Sequence, residues 1–380
     1  WGRAVAPLLI DARMAAVLPD AVTLLALLTY ALRGAQGVIV HSSAPLPPTE
    51  ASVVFLSYWA NPDPTKSWQR ACMPLVSSLA RLDGVSLIVG GLGPGEFPGI
   101  DRRREECNKI DFCRNMMNKN TFFVMDKFIW TYGVVSDPQV VHPDSLVFFA
   151  DCTDVVVLCG VNELRSKFAA FGADLVFGAE ANYWPADQVT GAIKRFNWTD
   201  PYPPSPTPLR YANSGVYAGR ARELRAFFLR QREAWETGTP WSWCCASRAA
   251  IVLGGRLRTR TNCVDDQGCV QSYIAAGFHE DKVGPSLNLD RTGDLILTLF
   301  HPTRHHHRVS FRGQRAVFDL RQERTPLGGG FRTADGKPER WNAGKNHSEP
   351  CIVHVSGGPK KFMRTLSATL NLNLPRSAHK

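Results

Sequence analysis

The run Ser145-Leu-Val-Phe-Phe-Ala-Asp151-Cys-Thr-Asp154 constrains this chain more than any other stretch: five apolar residues stop abruptly before two carboxylates three positions apart. Leu146 to Ala150 has the length and composition of a strand covered on both faces, which requires apolar elements on either side of a sheet. A buried helical segment satisfies the periodicity equally well. Read as a strand, the segment places Asp151 and Asp154 at its carboxyl end, where the chain turns into a loop and where open α/β sheets bind ligands.

Two carboxylates in such a place suit a hard divalent cation. Mg2+ or Mn2+ in phosphate-handling sites is typically held by one or two carboxylates together with the phosphates of the substrate. The ion then neutralises charge building on a departing diphosphate. The pair points to a metal-dependent nucleotide-sugar site. Aspartate also terminates strands and shapes turns for purely structural reasons, and a two-Asp pattern is short enough to arise by chance.

The 380 residues, 44% of them hydrophobic, suffice for one large or two modest domains with a sizeable core. A net charge of +10 suits an acidic nucleotide donor, an anionic membrane surface or a nucleic acid, and its sign alone does not choose. Lysine and arginine are scattered, and neither zinc-finger spacing nor a basic aromatic motif occurs, which argues against a nucleic-acid partner.

Residues 1–37 read as a signal-like targeting segment, whose apolar core Val22 to Leu32 is too short for a comfortable membrane span. A short buried helix is the other reading. The ten cysteines permit disulfides on a secretory route, with pairings that sequence does not fix. Cys244, Cys245, Cys263 and Cys269 lack the paired spacing of a structural zinc site and read as disulfide candidates or buried thiols. Asn197-Trp-Thr199 and Asn346-His-Ser348 match glycosylation acceptors, which agrees with a lumenal address in the endoplasmic reticulum or Golgi.

Beyond a Pro-rich spacer at 38–51, apolar runs alternate with helical patterns. Strands are expected over Ser52–Tyr58, Val85–Gly90, Leu146–Ala150, Asp174–Gly178, Tyr211–Gly219, Pro285–Asp290, Leu295–Phe300 and Cys351–Val355. Helices are expected over Ser67–Leu82, Phe122–Tyr132, Val161–Phe171, Ala221–Trp235 and Gln267–Ala276. This alternation predicts a parallel, doubly wound sheet. Residues 304–349, polar and Gly-rich, read as a loop-rich insertion, and 363–380 as a tail.

Four segments in order carry a family likeness: Phe148-Phe-Ala-Asp-Cys-Thr-Asp-Val-Val, Gly178-Ala-Glu-Ala-Asn-Tyr-Trp-Pro185, Ala212-Asn-Ser-Gly-Val-Tyr-Ala-Gly219 and Val264-Asp-Asp-Gln267. Ser286-Leu-Asn-Leu-Asp290 and Ile352-Val-His354 complete the series. Together they resemble the glycosyltransferase domain of procollagen lysyl hydroxylases and related collagen glycosyltransferases, over 52–362. The resemblance implies a GT-A-like, Rossmann-like α/β fold with a mostly parallel central sheet. It also implies Mn2+, a UDP-glucose or UDP-galactose donor, and a protein or glycan acceptor that includes collagen-like chains.

By the same resemblance Asp151, Asp154 and His354 are the metal ligands, and a neutral imidazole suits Mn2+ beside carboxylates. Taken alone, His354 in an apolar strand is more often a core histidine. Trp184 matches an aromatic of the sugar cleft, its other reading being core packing. Asp265 and Asp266 match acids near the transferred sugar and also sit where a helix N-cap is expected. Asn213 is a candidate for bonding donor or acceptor hydroxyls, or a turn residue. Ser57 and Thr153 are placed near the uridine, and Lys360 near the diphosphate, with a strand-end hydroxyl and a solvated lysine as the plainer readings of Ser57 and Lys360.

Two departures from the family pattern stand out. His354-Val-Ser-Gly357 replaces a His-Gly-Asn-Gly sequence, which puts a β-branched residue where glycine lets a ligand approach. Thr153 stands where the family places an aromatic, which removes a stacking face for uracil. The resulting expectation is a lumenal, metal-dependent hexosyltransferase acting on a protein- or glycan-borne hydroxyl, with hydroxylysine and galactosyl-hydroxylysine as candidate acceptors. The alternative is a catalytically silent module that keeps the fold and binds a glycan or collagen-like chain.

Overall fold

The computed structural model describes residues 38–41, 52–59, 71–90, 124–181, 202, 205–207, 209–237, 248–253, 256–261, 266–275, 284–300, 309–312, 315–319, 347–356, 363 and 366. Its centre is a ten-stranded sheet. In chain order the first strands and helices are β1 (Val38–His41), β2 (Val53–Tyr58), α1 (Met73–Leu79), β3 (Val85–Gly90), α2 (Val124–Ser136), β4 (Leu146–Ala150) and β5 (Val155–Val157). There follow α3 (Val161–Ala170), β6 (Leu175–Glu180), β7 (Tyr211–Arg220), α4 (Ala221–Thr237), a hairpin of β8 (Arg248–Leu253) and β9 (Arg256–Thr261), and α5 (Asp266–Ala275). The remainder is β10 (Leu287–Asp290), β11 (Ile296–Phe300), β12 (Val309–Arg312), β13 (Arg315–Asp319), β14 (His347–Ser348) and β15 (Ile352–Ser356).

The sheet runs β1-β3-β2-β4-β7-β6-β11-β15-β5, with β10 also paired to β6. β3, β2 and β4 are mutually parallel, as are β10, β6, β11 and β15, and these two blocks form the mostly parallel sheet that the alternation predicts. β7 lies between the blocks and is antiparallel to both β4 and β6, which departs from a simple doubly wound order. β1, assigned from sequence to the spacer, is an edge strand antiparallel to β3. The stretch 304–349 is not purely loop, since β12 and β13 form a hairpin to which β14 adds. Among the described residues no helix is long and apolar enough to cross a membrane.

Period-two alternation explains why β4 is apolar throughout. Phe148 and Phe149 are both fully buried yet point to opposite faces. Phe148 stacks on Phe55 at 5.1 Å, and Phe149 stacks on Tyr217 at 4.9 Å. One core takes Phe149, Phe177 and Tyr217 from the strands with Phe128 and Trp130 of α2, Phe227 and Phe228 of α4 and Tyr273 of α5. The other takes Phe55, Phe148 and Val176 with Leu75 and Leu79 of α1 and Leu164 and Phe168 of α3. Helices on both faces make three layers, and each fully buried large side chain contributes roughly 1.5–3 kcal/mol.

Asp290 shows how the motif Leu287-Asn-Leu-Asp290 serves the fold. Its carboxylate is fully buried and accepts N–H bonds from Leu295 and Ile296, each at 2.7 Å, and from Thr292 and Asp294, each at 3.2 Å. It thereby closes the turn from β10 into β11. Asp290→Ala strands several buried donors, and we expect it to lower stability by about 3 kcal/mol or more, read from the midpoint of urea unfolding. A shift smaller than 1 kcal/mol, on the order of a single ordinary hydrogen bond, would show the turn holds without it.

Candidate active site at the carboxyl end of the central strand

Strand β4 ends at Ala150, and Asp151, Cys152, Thr153 and Asp154 form the loop to β5. β15 brings His354 to the same place, since its partner residues are Thr298 of β11 and Val155 of β5. Strands from distant parts of the sequence meet because β5 doubles back antiparallel to β15 immediately after the acidic loop. One carboxylate oxygen from each aspartate and one ring nitrogen of His354 lie within 4.8 Å of one another. His354 Nε2 stands 3.8 Å from Asp151 Oδ2 and 3.7 Å from Asp154 Oδ1. The triad expected from sequence is assembled.

A bulge in β7 shapes the wall opposite. Phe177 pairs with Tyr217 but Gly178 pairs with Asn213, so Ser214, Gly215 and Val216 are looped out from β6. On the other side the Gly215 carbonyl accepts the Asp151 N–H at 2.7 Å. Gly215 therefore lies directly against the triad. A methyl group there would sit 2.1 Å from His354 Cε1, 2.6 Å from Nε2 and 2.8 Å from Asp151 Oδ2.

Asn213 holds the bulge from behind. Its Oδ1 accepts the Gly215 N–H at 2.8 Å, and its Nδ2 donates to Gln267 Oε1 at 3.1 Å. Gln267 in turn donates to Glu180 Oε1 at 2.6 Å. Asn213-Ser-Gly lies within β7 as a bulge and not at a chain turn, and the Asn213 amide shapes the backbone beside the triad.

Lys127 is the cation of the site. It projects from α2, and its side chain is 8% exposed. The ammonium reaches Asp266 Oδ2 at 2.6 Å and Asp151 Oδ1 at 3.2 Å, and it donates to the Ser214 carbonyl at 3.4 Å. Burial opposes its charge, but the carboxylates of Asp151 and Asp266 outweigh that and hold it protonated well above the usual lysine range. Asp266, at the start of α5, thus joins the cluster through this ion pair instead of serving only as a helix-end acid.

The donor set fits a divalent cation. Burial, and then Lys127, depress the His354 imidazole to about 3, so it is neutral and ready to ligate at any ordinary pH. Burial, and then the neighbouring Asp151, push Asp154 up to about 8, although 27% of its side chain remains open to solvent and tempers the burial contribution. Asp154 Oδ1 and His354 Nδ1 are buried and make no hydrogen bond among the described residues. A nearby positive charge would relieve the crowding of Asp151 and Asp154, and the open 32% and 27% of their side chains give it a route. A second cluster, Cys159, Glu163 and Cys351, is accounted for by the Cys159–Cys351 disulfide, which leaves no thiolate to ligate.

The remaining sequence candidates divide. Ser57 is fully buried and donates its hydroxyl to the Ala150 carbonyl at 2.7 Å, tying β2 to the end of β4, so the structure gives it the strand-end role. Thr153 lies in the acidic loop, directly before Asp154 and half-buried. Trp184, Asp265, Lys360, Cys244, Cys245, Cys263, the acceptors Asn197 and Asn346, and residues 1–37 lie outside the described residues. Lys127, Gly215, Gln267 and Glu180 received no role from sequence. The readable signal for Lys127 was a charged pair, Asp126-Lys127, inside the otherwise apolar helical run Val124 to Val135, and for Gly215 its place in the Asn-Ser-Gly sequence.

A search of curated proteins returned no match to this sequence. Among solved structures, mouse xyloside xylosyltransferase 1 in its apo form is similar at 13% identity and a TM-score of 0.36, over 66% of this chain and 87% of that one. The galactosyltransferase LgtC, in complex with donor and acceptor sugar analogues, is similar at 12% identity and a TM-score of 0.36, over 85% of this chain and 97% of that one. Residues 137–236 match the family model of the PLOD GT domain, a span that holds Asp151, Asp154, Asn213 and Gly215 and leaves Lys127, Asp266 and His354 outside. The chain has a mixed α/β fold with a mostly parallel central sheet, and its segment 137–236 is similar to the PLOD GT domain.

Proposed function

We propose that this domain transfers glucose or galactose from a UDP-sugar to a hydroxyl on a protein or glycan, with collagen-like chains and their hydroxylysine as the acceptor class, and that it does so with Mn2+. The observation that carries the reading is the convergence of Asp151, Asp154 and His354 within 4.8 Å at the carboxyl end of β4. Those three side chains would hold the ion, which when bound supplies charge neutralisation for the departing UDP.

The chain's own residues do the rest. Asp151 shares its carboxylate between the triad, through Oδ2, and the Lys127 ammonium, through Oδ1. Lys127 places a fixed positive charge beside the donor position and holds Asp266 at 2.6 Å, facing the same cluster. Asn213 and Gln267 keep Gly215 close, which leaves backbone and no side chain where a donor would approach. Positioned charge of this kind is the usual largest contribution to such a transfer.

Two buried disulfides among the described residues, Cys72–Cys152 and Cys159–Cys351, support a secretory, lumenal address, since such bonds persist in oxidising compartments. The test is turnover of UDP-glucose and UDP-galactose with and without Mn2+. We expect metal-dependent release of UDP that falls on the order of 100-fold or more in Asp154→Ala. Turnover unchanged by that substitution would overturn the site. Thr153, with no ring for uracil to stack on, favours the silent glycan-binding module as the second reading. Calorimetry separates the two, because a silent module shows no UDP binding in the presence of Mn2+.

A further inference from the structure

We infer that the Cys72–Cys152 disulfide is a positioning element of the metal site, so that its reduction switches metal binding off, whereas the Cys159–Cys351 disulfide stabilises the fold without controlling the site. This inference rests on the metal reading of Asp151, Asp154 and His354.

The two bonds sit symmetrically about the triad. Cys152 lies between the two aspartates, and its partner Cys72 caps the start of α1. Cys351 lies three residues before His354, and its partner Cys159 follows β5. All four cysteines are buried. What differs is how much else holds each half.

His354 is held redundantly. It lies inside β15, whose ladder to β5 pairs Ile352 with Val157, Val353 with Val156 and His354 with Val155, and whose other edge is paired to β11. The bonds Leu158 N–H to Cys351 and Ile352 N–H to Leu295 continue this on both sides. Removing the Cys159–Cys351 bond leaves that register intact. Its loss acts on the unfolded chain, through the 192-residue separation that the bond closes.

The acidic loop has far less. Residues 151–154 belong to no strand, and their described backbone bonds to the rest of the fold are Asp151 N–H to the Gly215 carbonyl and Val355 N–H to the Asp154 carbonyl. Cys152 and Thr153, between these two ties, have the disulfide as their covalent anchor. That anchor runs to a rigid support. α1 is buried through Leu75 and Leu79, and Ser78 Oγ accepts the Val157 N–H at 3.0 Å, which fixes the helix against β5. Cutting the bond frees the loop that sets the spacing between Asp151 and Asp154. Groups that orient metal ligands are each typically worth 10–100-fold in affinity.

The chemistry of the switch is ordinary exchange. A dithiol such as dithiothreitol attacks one sulfur, its second thiol expels the mixed disulfide, and Cys72 and Cys152 leave as two thiols while the reagent closes to its cyclic disulfide. The same linkage runs backwards: bound metal must protect the bond from reduction by the factor that reduction weakens the metal.

The test compares two paired variants of the full chain, Cys72→Ser with Cys152→Ser and Cys159→Ser with Cys351→Ser, by Mn2+ titration and by thermal unfolding. We expect the first pair to weaken Mn2+ binding about tenfold or more. The second should keep Mn2+ affinity within about threefold while lowering Tm by roughly 5 °C or more. Equal Mn2+ affinity in the first pair and the parent overturns the inference, as does an equal loss in both pairs. Should the first pair not fold, the parent protein decides: at equilibrium in a buffer of reduced and oxidised dithiothreitol, the fraction of Cys72–Cys152 reduced, read by thiol labelling and mass spectrometry, must fall when Mn2+ is added. An unchanged fraction overturns the positioning role. A parent protein that binds no Mn2+ fails the underlying metal reading instead, which keeps the two failures distinct.

Discussion

Replacing Gly215 with alanine is expected to abolish Mn2+ binding and to cut sugar transfer by about 100-fold or more while the chain stays folded. The added methyl group would lie 2.1 Å from His354 Cε1, 2.6 Å from its Nε2 and 2.8 Å from Asp151 Oδ2, separations at which something must shift. The ring has little room to shift. His354 is 2% exposed and sits in a strand paired on both edges, and the Gly215 carbonyl is itself bonded to the Asp151 N–H. Relief comes either by turning the imidazole away from the acids or by opening the bulge, and both separate the ligands. Mn2+ titration by electron paramagnetic resonance reads the first effect directly, and near-ultraviolet circular dichroism shows whether the core survives. Gly133→Ala, in α2 with nothing within 4 Å of the new methyl, is the matched control and should bind like the parent. Undiminished Mn2+ affinity in Gly215→Ala would mean that His354 and Asp151 do not share an ion.

The residues legible in the sequence are those whose role is set by local pattern. β4 could be read because both of its faces are apolar, and the acids at its end could be read as candidates because a carboxylate pair there suits a hard cation, while a plain strand-ending turn explained them as well. His354 needed the family likeness, since a histidine inside Ile352-Val-His-Val355 carries no local sign of ligation. What sequence could not supply was contact made by long-range pairing. β5, only three residues long, is placed by β15 from the far end of the chain, and nothing in Val155-Val-Val157 announces that partner. The β7 bulge is equally silent, because it arises where two strands pair out of register. The expected simple winding failed at the same strand: β7 reads as one more apolar run, and its direction is fixed by its neighbours β4 and β6. Disulfide pairings belong to this class as well. Ten cysteines allow many connectivities, and only the fold shows that Cys152 pairs with Cys72 and Cys351 with Cys159.

Lys127 is the clearest case of a residue hidden in this way, and its removal carries the second large expectation. In sequence it is one of two adjacent charges, with Asp126, in an otherwise apolar helix, where a solvated position or a tolerated core lysine reads equally well. In the fold it closes a buried cluster of like charges. Its ammonium pairs with the Asp266 carboxylate at 2.6 Å and donates to Asp151 at 3.2 Å and to the Ser214 carbonyl at 3.4 Å. Lys127→Met keeps much of the volume and removes the charge. Asp151, with 32% of its side chain open, can recover part of its hydration, whereas Asp266, at 3%, cannot. The cost therefore falls mainly on Asp266, and we expect about 3 kcal/mol of lost stability in urea unfolding, the range seen when one partner of a buried pair is deleted. Adding Asp266→Asn to Lys127→Met should return most of that loss, because an amide does not carry the stranded charge. A double-mutant cycle then isolates the pair, and an interaction near zero would show that Asp266 is not ionised beside Lys127 in the folded protein.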